Sequence, residues 1–240
     1  MIINRQKNNT MKKITKSLFI VVFGLSTITM QSQTYGENIF IIHDAVGKPD
    51  STVVIYLEIV NKDDVYCLIT DLPLPVGSSY VPGFAWLNPL RKGNYFIYKQ
   101  SILPGTNTLR LISLSVAGGH IPGNNGVFAG FNLNAPTETG EYLISPDSLV
   151  FCGGISQVVV SEIFDGIVYI TPEGSVSGDA NCDGVVNVVD VIKTIQYIMG
   201  IIEKPFCFAN ADLNSDILVN MEDVVGTINI ILDLNSGFLK

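Results

Sequence analysis

The sequence predicts two domains of different class, an all-β sandwich of jelly-roll type followed by a small all-α module. Three observations predict this. Short apolar segments alternate with Gly, Pro, Asn and Asp turns from residue 37 to 171, helical periodicity takes over beyond residue 178, and a Pro, Gly and Ser stretch lies between. With 47% hydrophobic and 15% charged residues in 240, the chain has the apolar content of a folded protein rather than a disordered one.

The predicted strands are 38–42, 52–60, 65–70, 94–98, 108–116, 127–133, 141–145, 148–152 and 167–170. Between them lie segments such as VGKPD (46–50), LPLPVG (72–77), GGHIPGNNG (118–126) and APTETG (135–140), rich in the residues that turns require. Several short strands with no helical period among them read as a sandwich or jelly roll.

Residues 1–33 read as an export signal. Lys12, Lys13 and Lys16 precede the apolar run LFIVVFGLSTI (18–28), and small or polar residues follow at 31–34, with Met11 an alternative start. The run falls short of the ~20 residues that span a bilayer, and no cysteine follows it closely enough for a lipid anchor. The expected location is therefore secreted or at the cell surface. Arg5, Lys7, Lys12, Lys13 and Lys16 are five of the fourteen basic residues, so without them nine face twenty-two acids, a net −13 against −8 for the whole chain. That field disfavours nucleic acid and anionic membrane as partners.

The boundaries that follow are 34–171 for the sandwich, 172–178 (PEGSVSG) for a linker and 179–240 for the helical module. In the module, Val188, Val191, Ile192, Ile195, Ile198 and Met199 keep helical spacing. Met221, Val224, Val225, Ile228, Ile231 and Leu232 repeat it 33 residues on. The same offset maps Asp179 onto Asp212, so a polar loop with its helix is duplicated. Neither copy can bury an apolar face alone, and the two helices are expected to pack together.

Each loop carries oxygen side chains at alternate positions. In DANCDGVVNVVD (179–190), Asp179, Asn181, Asp183, the Val185 carbonyl, Asn187 and Asp190 occupy positions one, three, five, seven, nine and twelve, with Gly184 sixth. Asp212, Asn214, Asp216, the Leu218 carbonyl, Asn220 and Asp223 do so in the second loop. Alternate oxygens wrapped around a tight turn suit Ca2+, which takes six to eight such ligands. Asp and Asn also make turns and cap helices without any metal; two loops in register, each feeding an apolar helix, favour the cation. At the sixth position of the second loop Ile217 replaces glycine, and weaker calcium binding is expected there.

Residues 178–234 resemble the type I dockerin module, a tandem of calcium loop and exiting helix, with Asp at both twelfth positions and no entering helix before Asp179. The resemblance implies a paired F-hand fold and calcium-dependent attachment to a cohesin-like domain. It also places the partner-binding residues at Val188, Val189, Met221 and Glu222. The family's basic pair falls on Ile195–Gln196 and Ile228–Asn229, which implies an apolar docking face for a different partner or for this chain's own sandwich. Residues 107–151 more faintly resemble the second half of a cohesin-like or carbohydrate-binding sandwich, a combination met in secreted Bacteroidetes-type proteins of polysaccharide degradation.

Cys67, Cys152, Cys182 and Cys207 are too scattered for a zinc site and permit up to two disulfides. Cys182 stands where dockerin loops carry a small or polar residue, and Cys207 lies just before the second loop. If the repeats pack as a pair, a Cys182–Cys207 bridge follows with Cys67–Cys152 as a second bond; four buried thiols are the alternative.

No catalytic constellation is expected. Asp63, Asp64, Glu138, Glu141, Glu162 and Asp165 read as solvated turn and strand-end residues rather than a glycosidase pair. His43 and His120 read as structural. Tyr80, Phe84 and Trp86 in YVPGFAW (80–86) read as core, with sugar stacking as the alternative. The function expected is thus non-catalytic protein attachment, and the competing one a carbohydrate-binding sandwich oriented by the module.

Overall fold

The computed structural model describes residues 38–91, 96–116, 118–121, 125–154 and 157–232, all within one compact unit. The expected export segment lies outside these residues, as do residues 233–240 of the helical module.

Among the described residues the strands are β1 (Ile39–Ile42), β2 (Ala45–Gly47), β3 (Thr52–Val60), β4 (Cys67–Pro73), β5 (Ser79–Leu87), β6 (Phe96–Ile102), β7 (Thr108–Ser115), β8 (Val127–Asn134), β9 (Gly140–Ile144), β10 (Ser148–Cys152), β11 (Gln157–Val158), β12 (Glu162–Phe164) and β13 (Gly166–Ile170). The helices are α1 (Val188–Ile198), α2 (Phe208–Ala211) and α3 (Met221–Ile231). One sheet runs β12-β1-β3-β8-β5, a second β11-β10-β4-β7-β6, and a smaller one β2-β13-β9. Pairing is antiparallel except for β1 with β12 and β2 with β13.

The two larger sheets face each other across one core. Ile55, Leu57, Ile59, Phe131 and Leu133 from the first meet Leu68, Leu72, Leu109, Leu111 and Phe151 from the second, and the Phe40 and Phe151 rings meet edge to face at 6.2 Å. The period of two in β3 sends Val53, Ile55, Leu57 and Ile59 into this core. Its other face carries Tyr56, Glu58 and Val60, of which Glu58 and Val60 are also buried. A strand buried on both faces needs a second covering layer, and the helical module supplies it.

The sequence prediction missed β2, β5, β11 and β12. Pro82 and Gly83, residues that weaken a strand interior, sit inside β5; the strand accommodates them by a register irregularity between Tyr80 and Ala85. The others are two or three residues long and are held by neighbours distant in sequence. The four-residue α2 was missed for the same reason.

Two disulfides tie the fold. Cys67 is joined to Cys152, its partner across β4 and β10, with Cα atoms 4.8 Å apart, and Cys182 to Cys207 with Cα atoms 5.8 Å apart. On the outer face of the second sheet, Arg110 grips Asp71 with two hydrogen bonds of 2.7 Å. The Arg110 hydrogen bond holds the Asp71 carboxyl below its ordinary value of 3.8. A lowered carboxylate stabilises the fold fully above the unfolded value and loses that contribution as pH falls through the folded one. The expected result is an Asp71→Asn variant less stable than wild type in urea at pH 7, with the difference shrinking as the pH drops below 3.8.

Candidate cation loops and the helix faces they position

The loops at 179–190 and 212–223 have nearly the same local structure. Asp179 accepts hydrogen bonds from the N–H groups of Asp183 (3.1 Å) and Gly184 (2.9 Å); Asp212 accepts from those of Asp216 (3.2 Å) and Ile217 (2.9 Å). Asp183 Oδ1 accepts from Val185 N–H, and Asp216 Oδ1 from Leu218 N–H, each at 2.8 Å. Asn187 and Asn220 cap α1 and α3, and Asp190 and Asp223 complete the capping boxes. The turn-and-cap roles open to these residues are therefore all filled.

The donor chemistry still fits a hard cation. Each loop offers oxygen alone, and a carboxylate oxygen that accepts one N–H retains a further lone pair. Among the described residues no three His, Cys, Asp or Glu side chains group together to hold a metal. A cation in either loop would thus draw on the Asn side chains and on the Val185 or Leu218 carbonyl as well as Asp. Burial raises the Asp179 carboxyl above its ordinary value, and the nearby Asp190 and Asp183 add to the rise. Burial does the same to Asp212, with Asp223 and Asp216 adding to it. A bound cation would remove that penalty.

Ile217 occupies the position of Gly184, and both have a positive φ, 68° and 86°. A β-branched residue in this region costs on the order of 1–2 kcal/mol. A Cβ on Gly184 would meet nothing within 4 Å, whereas Ile217 packs against a cluster of Val127, Ala180, Phe206, Phe208 and Ala211. Tyr56, Trp86, Tyr197 and Val219 close around the same cluster. The exception in the second loop thus joins the cluster that module and sandwich share.

That cluster is the apolar half of the contact between module and sandwich. Phe208 lies 4.9 Å from the Tyr56 ring and 5.0 Å from His43, while Tyr197 stacks on Phe206 at 4.5 Å. The polar half centres on Glu58, whose Oε2 accepts from Tyr197 Oη at 2.7 Å and pairs with His43 Nε2 at 2.8 Å. Asp44 accepts from Lys204 Nζ at 3.0 Å and from Phe206 N–H at 2.8 Å. Burial lowers the Lys204 ammonium and Asp44 opposes this. The cleft beside this network, lined by His43, Glu58, Lys193, Tyr197 and Lys204, holds about 20 Å3, room for about one water.

The aromatics of 80–86 form no common sugar-stacking face. Tyr80 joins the sandwich core, Trp86 lies under the module and Phe84 is exposed. Trp86 lies over Gly130, where a Cβ would come 2.5 Å from its Cζ2. Gly130→Ala is accordingly expected to displace the indole and cost about 1–3 kcal/mol, read as a lower urea midpoint.

The helices pack on each other, but through a narrow seam. Val191 and Thr194 of α1, and Val224 and Thr227 of α3, are buried, whereas Val188, Ile192, Met199, Val225, Ile231 and Leu232 are exposed. The apolar stripe of each helix is wider than the seam they share. Val188, Val189, Met221 and Glu222 are all exposed, and the sandwich covers the module elsewhere, at Tyr197, Phe206, Phe208 and the second loop. His120 lies 3.6 Å from Asp64 at the surface, and Asp63 accepts from Asn38. No helix among the described residues is long and apolar enough to cross a membrane.

No protein-family model matches the chain, and no curated protein does. Solved structures similar to it are cohesins and cohesin–dockerin complexes. A non-cellulosomal cohesin from the archaeon Archaeoglobus fulgidus matches at 14% identity and TM-score 0.48, covering 57% of this chain and 94% of that one. The sixth cohesin of an Acetivibrio cellulolyticus scaffoldin, in complex with a dockerin, matches at 18% and 0.48, covering 56% and 99%. A type I cohesin–dockerin complex from Clostridium thermocellum matches at 12% and 0.49, covering 57% and 100%.

Proposed function

We propose that this chain is an exported, non-catalytic attachment protein. In this reading a cohesin-like sandwich carries a type I dockerin-like module, whose two loops bind calcium and whose outward helix faces take a protein partner. The observation that carries the reading is the repeated exposure of apolar residues at matching positions of both helices. Val188 (62% exposed) matches Met221 (53%), Ile192 (51%) matches Val225 (53%), and Met199 (59%) matches Leu232 (59%). Exposed apolar surface of this extent, doubled by a repeat and left uncovered by the sandwich, is the mark of a docking face. Its composition calls for an apolar partner surface, in place of the hydroxyl and basic recognition typical of the dockerin family. Two disulfides suit an oxidising compartment.

The test is capture of a partner by the full chain from the extracellular fraction of its source, followed by titration of that partner in purified form. Binding should require calcium and fall at least about tenfold in Val188→Asp/Met221→Asp, the effect of losing roughly 1.4 kcal/mol at an interface. Binding indifferent to both calcium and these substitutions would contradict the proposal. Loss with Phe84→Ala of binding to a soluble polysaccharide would instead favour the carbohydrate-binding alternative.

A further inference from the structure

We propose that the sandwich completes the second loop as a cation site, so that docking of the module is coupled to calcium affinity at 212–223 more strongly than at 179–190. The proposal rests on the reading that both loops bind calcium, and it assigns Tyr56, Trp86 and Val127 as positioning residues for the second.

The duplication provides an internal comparison. Thirty-three residues separate equivalent positions, local hydrogen bonding is nearly the same, and the sixth residue is left-handed in both loops. The entry of the first loop is tied to the same cluster, through the buried Ala180 and the Cys182–Cys207 bond, so what differs is the surroundings of the sixth residue. Gly184 is exposed with open space where a side chain would stand, whereas Ile217 packs against the cluster formed with Val127 of β8. Glycine reaches a positive φ without help, but a β-branched residue needs its surroundings to hold it there.

The entry to the second loop is held from the same side. Asp212, its first ligand, donates its N–H to the Phe208 carbonyl at 2.9 Å and follows the buried Ala211 directly. Phe208 in turn is enclosed by His43 and Tyr56 of the sandwich and Tyr197 of α1. Ile217 and Val219, which follow Asp216 and precede Asp223, pack against the cluster on this side of the loop.

A loop held in its binding conformation by a neighbour binds more tightly than the same loop left free. By reciprocity, the cation tightens the neighbour's hold by the same factor. The glycine missing from the second loop then marks a shift of its preorganisation from the backbone to the sandwich.

The experiment uses the full chain in two backgrounds. Asp179→Ala/Asp183→Ala leaves only the second loop, Asp212→Ala/Asp216→Ala only the first, and each is titrated with Ca2+ by calorimetry. Adding Trp86→Ala should weaken calcium at the second loop about 5-fold or more, with less than about 2-fold change at the first. In the second-loop background Ile217→Gly should also weaken binding, although it relieves the backbone, and Ile217→Val should restore most of it. Tighter binding in Ile217→Gly, or equal effects of Trp86→Ala in both backgrounds, would overturn the coupling. No binding heat in either background would overturn the calcium reading itself. If Trp86→Ala fails to fold, the Ile217 pair still decides, since the coupling and a purely local strain predict opposite signs for glycine.

Discussion

Phe208→Ala is expected to lower the unfolding free energy by about 3–5 kcal/mol, the cost of removing a fully buried aromatic ring. Phe208 is 1% exposed and sits where the sandwich, the end of α1 and the second loop converge. Its loss would open a cavity between Tyr56, His43 and Tyr197, whose rings lie within 6 Å of it. Phe84→Ala is the control: that ring is 58% exposed, and its removal should change stability by no more than about 0.5 kcal/mol. Urea denaturation of both variants gives the comparison. Similar midpoints would contradict the packing of the module on the sheet.

Replacing both Cys67 and Cys152 by Ser is expected to cost about 4–5 kcal/mol. Replacing both Cys182 and Cys207 should cost about 3–4, because the first pair closes the longer loop in the unfolded chain. Their sequence separations are 85 and 25 residues. The two losses should also differ in kind. Without the first bond β4 and β10 retain their ladder and the sandwich simply becomes easier to unfold. Without the second, the link between the first loop and the residue preceding α2 is lost, so the helical signal should melt earlier than the sheet signal. Chemical denaturation followed through the separate helical and sheet components of the far-ultraviolet circular dichroism spectrum distinguishes these outcomes.

Much of the fold could be read from local pattern. Strands such as β3, β7 and β8 are long, apolar and bounded by turn residues, and the structure places them within one or two residues of where periodicity puts them. The long helices α1 and α3 are equally local, since the Asn caps and their Asp partners three residues on are in the sequence itself. Local pattern fails for β5, where Pro82 and Gly83 weaken the strand interior, and for α2, which is too short to show a period.

Local pattern does not place the docking of the module on its own sandwich, which runs through Tyr197, Phe206 and Phe208 rather than through the apolar helix face. That docking depends on contacts between residues more than a hundred positions apart, such as Glu58 with Tyr197 and Asp44 with Lys204. A trace of it was present in TVVIYLEIV (52–60), an almost unbroken apolar run of the kind that goes with a strand covered on both faces. The phenylalanines flanking Cys207 are the complementary trace. Ile217 shows how a residue reads differently in three dimensions. Within the loop it is only a strained substitution; in the fold it also packs against the cluster that contains Val127 and Phe208. The ligand spacing itself is plain in the sequence, because every proposed ligand in a loop lies within twelve consecutive residues.

The central claim is that these two loops are calcium sites that hold the helix faces in place. Its most direct test is thermal unfolding of the full chain, with calcium at about a thousand times its dissociation constant and with excess chelator. Calcium should stabilise the chain by about 4 kcal/mol for each occupied site. That shift should roughly halve in Asp179→Ala or Asp212→Ala and vanish when both are changed. A wild-type melting temperature that is the same in calcium and in chelator would contradict the account.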